Sequence, residues 1–277
     1  MGVILAAISA FVYGVGDWCG GHATRRMHAF AVVVIGQCAG MALVLGASLI
    51  LGDPLGGFGW GVSAGISGTA AIICFYSALA EGSMTVVAPV TAVISLVVPV
   101  VTGVILGDRP GSVAWAGMVC AVIAVALVGG VVGVVHTPIR RRELVLSGMG
   151  GVGFGMVFVL LSKAPHEAGM WPLVGARCAS LSMTIPLWLA VRRRGGGRVV
   201  RAALPFVLAS GLLDMTANLT YLIAARHELL SIVAVITSMY PVSTVVLALG
   251  VDRERIGRSQ LVGMVFSVAA LALVSSG

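Results

Sequence analysis

Long apolar stretches, separated by short polar or glycine- and proline-rich segments, run along the whole chain. A transmembrane helix needs about 20 predominantly apolar residues. These stretches are too long and continuous to be the roughly ten-residue alternating strands of a membrane barrel. The pattern predicts an all-α integral membrane protein of about ten transmembrane helices, with approximate bounds 2–21, 30–51, 59–80, 84–106, 112–134, 145–162, 170–190, 203–224, 229–250 and 259–276.

The composition indicates lipid as the main solvent of this chain. Hydrophobic residues make up 59% and charged residues 10% of the sequence, and the mean hydropathy is +1.09. Soluble domains carry roughly 25% charged residues, so this chain has too few charges to cover a water-facing surface. The net charge of +7 comes from arginines scattered in loops, which argues against a nucleic-acid partner.

Basic residues are concentrated on one side of the predicted bundle. The loops after the first, fifth, seventh and ninth helices are rich in arginine, whereas the opposite loops contain Arg109, Lys163 and Arg226. Cytoplasmic loops carry the excess of basic residues. We therefore predict a multi-pass protein of the cytoplasmic membrane with both termini outside the cytoplasm. The arginines of the basic loops are Arg25, Arg26, Arg140, Arg141, Arg142, Arg192, Arg193, Arg194, Arg198, Arg201, Arg253, Arg255 and Arg258.

The two halves of the chain resemble each other. Tyr76 in the third helix matches Tyr221 in the eighth, and Asp108 matches Glu254. Because each half would contain five helices, an odd number, the second copy must have the opposite orientation in the membrane. This predicts two inverted five-helix repeats, 1–136 and 137–277, with a substrate site between them near the bilayer midplane. Further matches pair Ala80 with Ala225, Arg109 with Arg255, Gly111 with Gly257, Gly117 with Gly263, Met118 with Met264, and GQCAG at 36–40 with ARCAS at 176–180.

Six segments together resemble the EamA-like family of the drug/metabolite transporter superfamily. They are YGVGDWCGG (13–21), YSALAEGSMTVVAPVTAVISLVVPV (76–100), GDRPGSVAWAGM (107–118), GLLDMTANLTYLIA (211–224), SMYPVSTVVLA (238–248) and DRERIGRSQLVG (252–263). The resemblance implies ten helices and the export or exchange of metabolites, amino acids or drugs. It also implies cytoplasmic termini, against the charge count, which we retain for the prediction of topology.

Three ionisable residues within predicted helices are candidates for substrate binding or proton coupling. An ionisable residue at the centre of a membrane helix costs about 2.5–3.5 kcal/mol on insertion scales. Asp17 is one candidate; the alternative is an interfacial position near the helix end, with Trp18 as an aromatic anchor. Arg177 and Asp214 lie near the centres of the seventh and eighth helices. Their alternative role is a structural ion pair.

Neutral polar and aromatic residues extend this set. Gln37 and Asn218 could bind substrate or form hydrogen bonds between helices. Tyr76 and Tyr240 could line a cavity or serve as packing aromatics. Pro89, Pro99 and Pro241 lie within the fourth and ninth helices, where each removes a helix hydrogen bond. We expect kinks or gating at these three prolines, with static kinks as the alternative.

These features favour a secondary transporter that works by alternating access, with possible proton coupling. We find no ATP-binding motif. GMGGVG at 148–153 lies in an apolar helix, and close helix packing through Gly151 and Gly155 explains it better than a nucleotide site. The alternatives are an intramembrane enzyme acting on a lipid-linked substrate and a membrane scaffold. The sequence predicts no cofactor and no metal site, and either a monomer or a homodimer.

Overall fold

The structure is a computed structural model that describes residues 1–81, 84–128, 141–193, 199–251 and 257–276. These residues form α-helices joined by short connections, with single 3-10 turns at His166–Ala168 and Arg201–Ala203. The α-helices are α1 Gly2–Thr24, α2 Ala29–Leu51, α3 Phe58–Glu81, α4 Met84–Ile105, α5 Ser112–Val128, α6 Arg141–Ser162, α7 Trp171–Arg193, α8 Leu204–Ala225, α9 Leu230–Thr237, α10 Tyr240–Gly250 and α11 Arg258–Ser276.

These helices confirm the predicted all-α membrane fold. Within the described residues, nine segments are long and apolar enough to cross a bilayer, and Ser112–Val128 is a shorter apolar helix. Residues 129–134, the end of the predicted fifth helix, lie outside the described residues. The proposed boundary between the repeats, at 136 and 137, lies there too and remains a prediction.

The ninth predicted span is one apolar span, Leu230–Leu247, and it consists of two helices that meet just before Pro241, one of the three prolines where a kink is predicted. α9 ends at Thr237 and α10 begins at Tyr240, directly before Pro241. Proline has no N–H, so the carbonyl of Thr237 cannot receive the usual hydrogen bond from four residues later. Instead, the backbone of Ser238 donates to Ala234 O at 2.9 Å and closes the end of α9.

The prolines of the fourth helix behave differently. α4 is helical from Met84 to Ile105 and continues past both Pro89 and Pro99. Near Pro99, the hydroxyl of Thr102 donates to the Val98 carbonyl at 2.8 Å. Neither proline ends the helix, and a kink or gating role at these positions remains a prediction.

The packing of the helices repeats under exchange of the two halves. α1 packs along α8 as α6 packs along α3, and α2 contacts α8 as α7 contacts α3. Similarly, α4 lies on α6 as α9 and α10 lie on α1. Three further contacts, α2 with α7, α5 with α11 and α4 with α9, join equivalent helices of the two halves. Most of the helix contacts thus join one half to the other, as expected for intertwined inverted repeats.

The contact between α5 and α11 shows the repeat at the level of single residues. Gly117 on α5 lies against Val274, and Gly263 on α11 lies against Val128. The two glycines are matched in sequence, and the two valines have the same separation along the chain. Small residues let helix backbones approach closely in lipid, where no hydrophobic force drives helices together.

Glycines also allow α6 to pack closely on α4. A Cβ added at Gly151 would lie 2.8 Å from the carbonyl oxygen of Thr91, and one at Gly155 would lie 2.9 Å from that of Ser95. Real Cβ atoms are almost never found that close to a carbonyl oxygen, so both positions require glycine. The predicted role of Gly151 and Gly155 in close helix packing is confirmed.

The glycine contact between α2 and α8 provides a test of this packing. A Cβ at Gly211 would collide with the backbone of Gly36. We expect Gly211→Ala to lower the free energy of unfolding by about 1–3 kcal/mol, because overpacking must separate the two helices. The measurement is chemical or thermal unfolding of the purified protein in detergent.

Gly46→Ala, on α2, is the matched control. An added Cβ there meets no described atom within 4 Å. Alanine forms helix better than glycine by about 1 kcal/mol, so this variant should be as stable as the wild type or slightly more stable. Equal stability of Gly211→Ala and Gly46→Ala would contradict the packing account.

Candidate functional site

A cavity of about 500 Å³ lies between the two halves, with walls from α1, α2, α3, α4, α5, α6, α7, α8 and α10. This volume is within the roughly 300–1,000 Å³ of small-molecule sites. Its walls are mainly apolar, with polar groups on several helices. The residues predicted from sequence that line it are Asp17, Gln37, Arg177, Asp214, Asn218, Tyr240 and Pro241.

Arg177 and Asp214 form an ion pair across this cavity. The Arg177 guanidinium, on α7, donates from Nη2 to Oδ2 of Asp214 on α8. The Arg177 side chain is 13% exposed and that of Asp214 is 40% exposed. One turn later, Asn218 Nδ2 donates to the Asp214 carbonyl oxygen at 2.8 Å. The predicted structural pairing is therefore present, and it faces the cavity at the same time.

Gln37 belongs to a polar seam between helices. The hydroxyl of Thr184, on α7, donates to Gln37 Oε1 at 3.2 Å and to the Ser180 carbonyl at 2.8 Å. The Ser180 hydroxyl lies 3.3 Å from that of Thr69 on α3. This seam joins α2, α3 and α7, so Gln37 combines an interhelical hydrogen bond with a position on the cavity wall.

Asp17 differs from the other carboxylate of the cavity in having no such bonds. Its side chain is exposed and lines the cavity. Among the residues that the structure describes, it has no hydrogen-bond or ion-pair partner. An unpaired carboxylate in a membrane protein is costly unless water or a ligand solvates it. The position therefore suits a group that meets solvent or substrate.

The sequence alone did not single out Tyr13 and Phe158, which also line the cavity. The ring of Tyr13 lies 6.5 Å from Phe158 and 6.0 Å from Tyr240. Behind them, the Tyr221 hydroxyl donates to the Phe158 carbonyl at 2.9 Å. The spacing of four residues between Tyr13 and Asp17 was the available signal, because it places both on one helix face.

Two predicted aromatic residues are not part of the described cavity wall. Trp18 packs against His22 and Phe206, with ring centroids 5.8 and 6.2 Å apart. Tyr76 packs against Phe30 at 5.9 Å. Tyr76 is thus found in a ring contact, as in its alternative role of packing aromatic, whereas the alternative for Trp18, an aromatic anchor at the membrane interface, remains a prediction.

The predicted prolines also differ in their relation to the cavity. Pro241 lines it, whereas Pro99 is buried in α4 and is not among the described lining residues. The side chain of Pro89 lies outside the described residues. At the break before Pro241, the buried hydroxyls of Thr237 and Ser238 have no hydrogen-bond partner in the described parts of the chain. Such groups are commonly satisfied by ordered water.

A helical membrane protein whose two inverted halves enclose a cavity with polar groups on its walls has an architecture found in many transporter folds. The family model for the EamA-like transporter family matches residues 1–130 and 143–276, so the chain belongs to that family. It is a multi-pass membrane protein of the drug/metabolite transporter type.

Comparison with solved structures gives the same fold. The crystal structure of a protein that is 17% identical aligns with 99% of this chain and 96% of its own, with a TM-score of 0.78. At that identity the likeness concerns the fold alone. No curated protein matches the chain.

The pair of Arg177 and Asp214 can be tested by a double-mutant cycle. Arg177→Met and Asp214→Asn each leave one charge without its partner, whereas the double variant removes both. We expect the two changes to be non-additive by about 1–3 kcal/mol in the free energy of unfolding, the range for residues in direct contact. The measurement is equilibrium unfolding in detergent micelles.

Lys163→Met combined with Asp214→Asn is the control cycle. Lys163 is exposed after the end of α6, so its removal should add independently to that of Asp214. An additive result for Arg177 and Asp214, equal to that of the control, would show that the ion pair contributes nothing measurable.

Proposed function

We propose that this protein is a secondary transporter that exports or exchanges small metabolites, amino acids or drugs by alternating access. The observation that carries the proposal is the cavity of about 500 Å³ whose walls come from both repeats. Asp17, Gln37, Arg177, Asp214 and Asn218 would recognise the substrate there, while the apolar walls would hold its body. Relative motion of the two repeats would then expose the same cavity to either side of the membrane.

Contacts at one face of the bundle support a closed gate. Both termini and the loops after α2, α4, α6 and α8 lie at this face, here called the terminal face. Asp108, after α4, accepts a hydrogen bond from the backbone N–H of Ser231 in the first turn of α9, at 2.9 Å. A carboxylate at a helix N-terminus is favourable because the free N–H groups and the helix dipole attract negative charge.

A second contact of the same kind holds α7. Asp53, after α2, accepts a hydrogen bond at 2.9 Å from the backbone N–H of Met170. The carbonyl oxygen of Asp53 accepts another from Trp171 Nε1 at 3.0 Å. Asp53 and Asp108 thus each fix the start of a helix in the other half of the chain.

Further contacts reinforce this closure. Arg226 Nη2 donates to the Gly169 carbonyl at 2.8 Å. Below the loops, Val159, Leu230 and Ala234 form a buried apolar cluster between α6 and α9. Moreover, α9 packs on α4 and α1, whereas α10 packs chiefly on α1. We infer that the terminal face is closed in this conformation and that the cavity is reached from the arginine-rich face.

Proton coupling is the energy source that this site could support. The carboxylates of the described cavity wall are Asp17 and Asp214. Arg177 and the hydroxyls of Tyr13 and Tyr240 are the other titratable groups of that wall. A carboxylate that alternates between solvent and a closed cavity can exchange a proton once per cycle, because desolvation disfavours its charged form.

Transport in proteoliposomes tests the proposal directly. Purified protein would be reconstituted and assayed with radiolabelled amino acids, nucleosides and organic amines, with and without an imposed pH gradient. We expect at least one class to move at least tenfold faster than in empty liposomes, and Arg177→Met to reduce that rate. Glu167→Gln, at an exposed residue of the terminal face, should keep the wild-type rate.

Each part of the proposal has its own contrary result. Transport would be rejected if none of the solute classes moved faster in proteoliposomes than in empty liposomes. Chemical alteration of added lipid-linked substrates, followed by mass spectrometry, would favour the enzyme alternative. Indifference to the pH gradient, with Asp17→Asn and Asp214→Asn both active, would reject proton coupling.

The gate can be tested through the hydrogen bond from Ser231 to Asp108. Asp108→Ala removes the acceptor, which for a helix N-terminus costs about 0.5–2 kcal/mol. We expect backbone amides in the first turn of α9 to exchange with deuterium about 2- to 30-fold faster, since 1.4 kcal/mol corresponds to a factor of ten. The measurement is hydrogen–deuterium exchange of the protein in nanodiscs.

Asp108→Asn is the matched variant, because asparagine keeps an oxygen acceptor at this position. Its exchange should lie close to that of the wild type. Unchanged exchange in Asp108→Ala would show that this contact does not hold α9 closed.

A further inference from the structure

The charges of the cavity are unbalanced. Apart from tyrosines, the ionisable residues that line it in the described parts of the chain are Asp17, Arg177 and Asp214. Arg177 and Asp214 neutralise each other in their ion pair. Asp17 remains, without a hydrogen-bond or ion-pair partner among the described residues, and gives the wall a net charge of −1 when it is ionised. A cavity in a low-dielectric surrounding stabilises a ligand of opposite charge far more than bulk water does.

Two tyrosine rings line the cavity together with this carboxylate. Tyr13 lies one helical turn before Asp17 on α1, and both line the cavity. Tyr240, from α10, places its ring centroid 6.0 Å from that of Tyr13. Aromatic faces attract cations electrostatically, and an ammonium group can donate charge-assisted hydrogen bonds to a carboxylate.

The rest of the wall suits an apolar body attached to that cation. Phe75, Phe154 and Phe158 line the cavity, as do Ile72 and Val157. A bare divalent cation is a poor match, because Ca²⁺ takes six to eight oxygen ligands and Mg²⁺ six, whereas Asp17 is the single unpaired carboxylate of the described wall.

We propose that this cavity takes an organic monocation, namely a protonated amine with an aromatic or aliphatic body, whose ammonium group binds Asp17 beside the rings of Tyr13 and Tyr240. The inference rests on the proposed function, because it names the substrate class of that site. Arg177 and Asp214 hold each other and shape the wall, so Asp17 provides the charge that selects the ligand.

Three small probes of similar shape separate charge from size. Phenethylamine is a cation at neutral pH, 2-phenylethanol is neutral and hydrocinnamate is an anion. Binding of each to the purified full-length protein would be measured by isothermal titration calorimetry in detergent. We expect phenethylamine to bind at least tenfold more tightly than the alcohol or the acid.

Variants of the cavity locate the recognition of charge. Asp17→Asn should lower the affinity for phenethylamine at least tenfold and leave the affinity for 2-phenylethanol unchanged. Tyr13→Phe, which keeps the ring, should bind phenethylamine almost as the wild type does, whereas Tyr13→Leu should bind it several-fold more weakly. Glu167→Gln removes one negative charge at an exposed site outside the cavity and should leave all three affinities unchanged.

Three results would overturn the proposal. One is binding of hydrocinnamate or 2-phenylethanol as tightly as phenethylamine, and another is an Asp17→Asn variant with unchanged affinity for the amine. The third is absence of phenethylamine binding by a protein whose thermal unfolding shows that it is folded.

The outcome is separable from that of the proposed function. Binding of the amine that depends on Asp17, without transport of any solute class in proteoliposomes, would support the ligand class and reject transport. Transport of an acidic or neutral solute that is unaffected by Asp17→Asn would support transport and reject the ligand class.

Discussion

The hydrocarbon core of a bilayer cannot form hydrogen bonds, and this constraint determines where polar groups lie in this protein. Several buried hydroxyls donate to the backbone of their own helix one turn earlier, as Thr69 does to Gly65 and Ser147 to Glu143. Away from the helix ends, the charged residues of the described spans are Asp17, Arg177 and Asp214, which all line the cavity, where Arg177 and Asp214 neutralise each other. The charged residues of the cavity therefore lie where the two repeats meet, because the lipid-facing surface offers nothing to solvate a charge.

The two repeats share their packing but not their chemistry. Gln37 and Arg177 are at matching positions of GQCAG and ARCAS, and both line the cavity. Asp214, whose position corresponds to Thr69 when Tyr76 is matched with Tyr221, carries a charge that the first repeat lacks. The second repeat thus contributes an internally neutral pair, whereas the first contributes the unpaired Asp17. Duplication explains the scaffold, and divergence at a few inward-facing positions explains how one symmetrical frame can hold an asymmetrical site.

The sequence predicted the helices well because a span of apolar residues is a strong signal, and it predicted the repeat from matches such as Gly117 with Gly263. The rotation of each helix was harder to predict. Lipid-facing residues are as apolar as those in the protein interior, so hydrophobicity does not indicate which side faces the cavity. Asp17 and Asp214 could be identified as cavity residues because a charged side chain facing lipid is costly. Tyr76 and Trp18 could not be assigned in this way, since an aromatic ring is as stable between packed helices as on a cavity wall. Prolines were ambiguous too, because the same residue type leaves α4 continuous at Pro99 and stands at the break of a span at Pro241.

The break between α9 and α10 connects the cavity to the gate. α10 carries Tyr240 and is joined to α1 by Ser243, whose hydroxyl donates to the Ala10 carbonyl at 3.1 Å, and by Thr244, which donates to Gly14 O at 3.2 Å. α9, on the other side of the break, is held by its contact with Asp108 at the terminal face. A ligand drawn to the rings beside Asp17 would act on α1 and α10 together. In the proposed cycle, an unbroken helix would transmit that force rigidly to the gate, whereas the two residues between Thr237 and Tyr240 would let α9 and α10 move separately. The break before Pro241 thus divides this span into two segments, of which α10 would respond to substrate and α9 to closure under the proposed function.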